Sequence, residues 1–219
     1  MRYLTPRERK RRRVQRLRLA GLILAGFVVF TLLDFPLLHL LYQDDWLRVQ
    51  NHDWYRLLRI MGYLGTWLLV CLVYIAHDRH QHRGLAVLLS AGLAGLLAEL
   101  LKLVIARERP VHDGIIQPGL YHFRGLFSGF ENGSNLGLPS SHAAVAFGGC
   151  LMLACFLPRA RTLLFLLALG CGITRMLTGA HFATDVYVGA LLGWACSRLF
   201  CSFAGVHVPD LRPRYRLPV

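Results

Sequence analysis

Three short stretches of this chain combine cations, histidines and a carboxylate at spacings that chemistry can use. In KLVIARERP (102–110), Lys102 and Arg109 are seven residues apart. On a helix that is almost two turns, so both side chains project from one face, about 10 Å apart along the axis. Pro110 biases Arg109 away from helical geometry and marks the end of that helix. In PSSH (139–142), Ser140 or Ser141 can cap a helix whose first N–H groups lack intrahelical partners and, with the helix dipole, favour an anion. A cap needs no histidine, so His142 is the informative residue. In TRMLTGAHFATD (174–185), His181 and Asp185 are four apart, so the carboxylate can reach the imidazole on one helix face. It then fixes the tautomer and leaves the other ring nitrogen nucleophilic, with Arg175 as a third cation.

Each stretch alone also has a plain structural reading. Basic residues at a helix mouth snorkel to headgroups, and Arg107 is assigned only that role. Lys102 lies a turn and a half deeper, where a cation is expensive and usually functional, although Glu99 can pair with it. His142 alone fits interfacial packing as well as acid–base work, and a lone His–Asp pair can be structural. Together, three cations, a helix N-terminus and two histidines are what phosphoryl transfer to a protein nucleophile needs without a metal. In-line attack by His181 builds charge on equatorial oxygens held by Lys102, Arg109 and Arg175.

The elements that must position these residues lie in a membrane. The chain has 219 residues, is 55% hydrophobic and has mean hydropathy +0.44, which leaves room for one integral-membrane domain. Only 17% of residues are charged, against roughly 25% in soluble domains. Net charge is +13, but nine Lys and Arg crowd residues 1–18 directly before an apolar run. That pattern is a topology anchor rather than a nucleic-acid arm. The apolar run exceeds a signal-peptide core and lacks a cleavage pattern, so the arm is expected to stay attached. The six cysteines lie in or beside apolar runs without CxxC spacing, so neither disulfides nor metal ligation is expected.

The sequence predicts an all-α protein with six spans, at about 17–42, 57–76, 85–106, 141–157, 160–178 and 184–204. A basic arm (1–18), a membrane domain (19–204) and a basic tail (205–219) follow from this, with an outer loop at 111–138. With both termini cytoplasmic, the inner segments hold 17 of the 25 Lys and Arg. Trp46, Trp54 and Tyr55 then form an outer interfacial belt, and all three chemical stretches open on the outer face. In the loop, His122 and Arg124 are either headgroup contacts or solvated. Asp34, two residues before Pro36 in the first span, faces a polar cavity or an interface.

The three stretches resemble the signature of the type 2 phosphatidic acid phosphatase superfamily, K-x6-R-P, P-S-G-H and S-R-x5-H-x3-D. Here it reads Lys102-x6-Arg109-Pro110, Pro139-Ser140-Ser141-His142 and Thr174-Arg175-x5-His181-x3-Asp185, over roughly residues 57 to 204. The resemblance implies His181 as nucleophile, Asp185 as its orienting partner and His142 as acid and then base. It implies Lys102, Arg109, Ser140, Ser141 and Arg175 around the phosphate, and no cofactor or metal. The implied substrate is a lipid phosphate or pyrophosphate, met at the outer face of an inner membrane. Undecaprenyl pyrophosphate, phosphatidylglycerol phosphate, phosphatidic acid and lipid A phosphates all fit. Transfer to a second lipid and non-catalytic binding are the alternatives. Two positions depart from the signature. Thr174 replaces Ser and keeps the hydroxyl. Ser141 replaces Gly, and it is expected to sit in a helical first turn with its side chain out of the pocket.

Overall fold

The structure, a computed structural model, describes residues 5–42, 45–77, 81–112, 115–116 and 121–203, without the side chains of Pro6, Trp46, His112 and Phe203. The tail expected at 205–219 and part of the 111–138 loop lie outside these residues, as does the Trp46 side chain. The described chain is mostly helical: α1 (Pro6–Leu41), α2 (Trp46–Asn51), α3 (Asp53–Arg59), α4 (Leu64–His77), α5 (His82–Ile105), α6 (Ser141–Phe156), α7 (Arg161–Leu177) and α8 (Ala183–Phe203). By length and composition, three helices can cross a membrane: α1, α5 and α7 with the turn before it. A fourth crossing arises if the segments Asp53–Gly62 and Leu64–His77, bent by 74°, form one broken span.

That bend falls inside the second span expected at 57–76. A 3-10 turn at Ile60–Gly62 interrupts the helix, and side chains satisfy the carbonyls it frees. Thr66 Oγ1 donates to Ile60 O at 2.6 Å and Trp67 Nε1 to Met61 O at 2.9 Å. The basic residues from Arg7 to Arg18 lie on the first helix. Thr5 and Glu8 form a capping box, and α1 continues from there for 36 residues, about 54 Å.

At the centre is α6, whose residues from Ala143 to Ala154 are nearly all buried against α5, α7 and α8. It is short and almost entirely enclosed by protein. Small residues allow this. A Cβ on Gly189 would meet Ser140 O at 2.4 Å, and one on Gly193 would meet Gly148 N at 2.5 Å. The pair Gly189-x3-Gly193 thus seats α8 directly on the α6 backbone.

Candidate active site

The helix carrying Lys102 ends sooner than its spacing predicts. Ala106 is left-handed (φ 51°) and its N–H bonds Lys102 O at 2.8 Å, so α5 stops at Ile105. Arg107 and Glu108 then form isolated bridges, Arg107 to Phe123 and Glu108 to Leu136. Lys102 and Arg109 therefore do not share a helix face, which corrects the helical placement. The switch from a 3.6 to a 2.0 period instead puts Arg107 and Arg109 on one side of an extended segment, with Glu108 opposite. Glu108 binds Arg124 at 2.6 Å, and Arg124 also donates to Asn132 O. Arg124 thus pins the loop after α5 back on the chain, while His122 is exposed.

Ser140 caps α6, its Oγ accepting from Ala143 N at 3.5 Å, and its own N–H donates to Asp185 O at 2.9 Å. That bond ties the PSSH stretch to the start of α8. Ser141 is the first residue of the helix and has no positive φ, as expected. Its side chain, however, turns inward: Ser141 Oγ accepts from Lys102 Nζ at 2.9 Å, and the same ammonium holds Glu99 at 2.9 Å. The expectation of an outward-facing serine is corrected. Thr174 spends its hydroxyl within α7, on Cys171 O at 2.6 Å.

His181, 2% exposed, lies in the turn before α8 with Nδ1 3.4 Å from Asp185 Oδ2, a close approach longer than a good hydrogen bond. Asp185 Oδ2 also accepts from Phe182 N at 2.8 Å. Burial depresses the His181 pKa to about 4, against the pull of Asp185, and Arg175 and Lys102 reinforce the depression. The imidazole is therefore neutral over most of the pH range. Among the described residues, buried Arg175 Nε and His142 Nε2 have no partner, and the Arg109 side chain donates to Leu136 O at 3.3 Å. No carboxylate pairs with Arg109 or Arg175 among the described residues. Beside His142 a cavity of about 380 Å³ opens between the α3–α4 bend, α5 and α6, lined also by Glu99, Ser141 and Gly62.

Three contributors escape a reading by motif. Arg59, at the end of α3, adds a cation near His142 and Arg175, its Nε buried without a partner. Gly62 gives His142 its room, since a Cβ there would meet His142 Cβ and Cδ2 at 2.8 Å, while Tyr63 packs edge-on against the imidazole. Arg107 does not snorkel. It is 3% exposed, bonded to Asp185 Oδ1 and, at 2.8 Å, to Thr184 Oγ1. Tyr55, assigned to the interfacial belt, is fully buried, whereas Trp54 is exposed.

The family profile described as "PAP2 superfamily" matches residues 83–208, more than half of the chain. The chain belongs to the PAP2 superfamily. Among curated relatives, a lipid A 1-phosphatase of Rhizobium etli is 34% identical over 110 residues, 46% of this chain and 42% of that protein. The chain thus spans less than half the length of that relative. A decaprenylphosphoryl-5-phosphoribose phosphatase of Mycobacterium tuberculosis is 30% identical over 144 residues, 65% of this chain and 73% of that one. Among solved structures, the crystal structure of Aquifex aeolicus LpxE matches at TM-score 0.50 and 21% identity, over 78% of this chain and 95% of that chain. That likeness concerns the fold. A PAP2 membership accounts for the order of the three stretches, and the apolar helices make this PAP2 chain a membrane protein.

Proposed function

We propose that this protein is an integral-membrane phosphatase that removes phosphate from a lipid phosphate or pyrophosphate through a phosphohistidine, without a metal. The observation that carries the reading is that Lys102 and Arg175 lie close enough to act on the buried His181–Asp185 pair, with Arg109 near both cations and the capped α6 N-terminus bonded to Asp185. His181 Nε2 attacks phosphorus as the bond to the leaving oxygen breaks, and His142 gives that oxygen its proton. His142 then takes a proton from water, the resulting hydroxide attacks phosphorus, and the P–N bond breaks to return neutral His181. Charge on the equatorial oxygens is met by the three cations and the α6 N–H groups. At an effective dielectric of 20, each cation at ~4 Å is worth about 4 kcal/mol per unit charge before desolvation is subtracted.

The names of the relatives, a lipid A 1-phosphatase and a decaprenylphosphoryl-5-phosphoribose phosphatase, support a phosphorylated lipid as substrate. In this reading the chain crosses the inner membrane six times, with both termini cytoplasmic and the site on the outer face. Ser141 is the feature favouring a non-catalytic binder: its helical backbone speaks for an open cradle, and its Oγ, turned onto Lys102 Nζ, speaks for the binder. The test is inorganic phosphate release from lipid A, prenyl, phosphatidylglycerol and phosphatidic acid phosphates by purified protein in detergent with chelator. His181→Ala is expected to lose at least a thousandfold in rate; activity retained in that variant sinks the assignment. Labelled phosphate appearing on a second lipid would instead identify a transferase.

A further inference from the structure

Asp34 sits in the middle of an apolar stretch of α1 yet is 0% exposed. A carboxylate there is costly unless paired and hydrogen-bonded. Its partners are all near the active site: Thr184 N at 2.7 Å, the Thr184 hydroxyl, and Tyr121 OH at 2.8 Å. Burial and this bond raise the Tyr121 pKa, so the phenol stays a donor. Arg107 Nη1 lies 3.9 Å from Asp34 Oδ2, while its Nη2 bonds Asp185 and Thr184. The guanidinium lies 4.8 Å and 5.1 Å from the ring centroids of Tyr121 and Phe182, which meet edge-on beside it. One cation thus stands between two buried carboxylates, one on α1 and the other beside the histidine.

We propose that Arg107 and Asp34 are positioning residues for the reaction: they hold and partly neutralise Asp185, and through it set the charge and orientation of His181. The inference rests on reading His181 as the nucleophile. Mere fastening of α1 would need only an Arg107–Asp34 pair, but the tighter contact of Arg107 is with Asp185. Among the described residues, the ionisable groups around His181 are Asp185 on α8, Arg107 and Arg109 after α5, Lys102 and Glu99 on α5, Arg175 on α7 and His142 on α6. Asp34 on α1 acts on it through Arg107. Removing the Arg107 charge leaves Asp185 and Asp34 unopposed and makes His181 easier to protonate. Removing the Asp34 charge gives Arg107 wholly to Asp185 and makes His181 harder to protonate. The two changes act in opposite directions, whereas loosened packing admits water and drives both towards an ordinary histidine, upwards.

The experiment titrates the His181 imidazole by carbon-13 NMR in the detergent-solubilised full chain, alongside the pH profile of kcat/KM. Arg107→Gln is expected to raise the His181 midpoint by about one unit, and Asp34→Asn to lower it. Arg107→Lys, which keeps the charge, stays near wild type, and the double variant Asp34→Asn/Arg107→Gln returns towards it. Midpoints that do not move, or that both rise, overturn the proposal. Should Arg107→Gln fail to fold, the sign of the Asp34→Asn shift decides alone. Opposite shifts in a chain that releases phosphate from no substrate would sink the phosphatase reading and leave the network standing.

Discussion

His142 owes its place to a residue with no side chain. A Cβ at Gly62 would meet the imidazole's Cβ and Cδ2 at 2.8 Å and Cys171 Sγ at 3.0 Å, so only glycine lets the α3–α4 bend close over the ring. Gly62→Ala is expected to displace His142 and lower kcat by at least about tenfold, with KM little changed, because the cradle of cations lies on other elements. A steady-state kcat and KM comparison checks the split. His181 makes a second prediction. Its pKa is held at about 4, so it is a free nucleophile above that value and protonated below it. Phosphate release should therefore stay high through mild acid and fall only as pH drops towards 4, an acid limb that an ordinary histidine would place near about 6.5. The eight candidate residues can be named from the sequence because their motifs fix type and spacing, and their roles stand as proposals. Arg107 was not, because a continuous helix assigns it to the headgroups, and only the break at Ala106 turns it inward.

Among elements, α5 to α8 begin and end within about three residues of the apolar runs, because long apolar segments bounded by Pro, Gly and charge leave few choices. The second span escaped, since a bend at Gly62–Tyr63 costs little in hydropathy and shows only when Thr66 and Trp67 are seen capping it. The Gly189-x3-Gly193 stripe was readable as small residues, but its task needs the partner helix. It brings α8 within reach of α6, so that Ser140 N can bond Asp185 O. Gly193→Val sets two methyl groups against the α6 backbone at Gly148 and should destabilise by about 2 kcal/mol. The check is a thermal melt in detergent, where Tm should fall by several degrees while Gly21→Val, with open space around it, leaves Tm unchanged.

Across the whole molecule, one helix joins the two ends of the membrane domain. The basic residues Arg7 to Arg18 lie near the start of α1, while Asp34 near its other end bonds Thr184 beside the active site. Sixteen residues separate Arg18 from Asp34, about 24 Å of helix, most of the ~30 Å hydrocarbon thickness. The site and the basic arm thus belong to opposite ends of the bundle. The proposed orientation keeps the positive residues inside, which places the site outside. The outer loop supplies the test, because Leu126 is 74% exposed and is fastened near the end of α5 through Phe127 N to Val104 O at 2.8 Å. In intact spheroplasts, Leu126→Cys should react with a membrane-impermeant maleimide, and Arg11→Cys should react only after lysis. Because five of the six native cysteines are buried and Cys155 is half-buried, background labelling should be low. Labelling of Arg11→Cys in intact cells with Leu126→Cys protected would reverse the topology, and with it the outward-facing site.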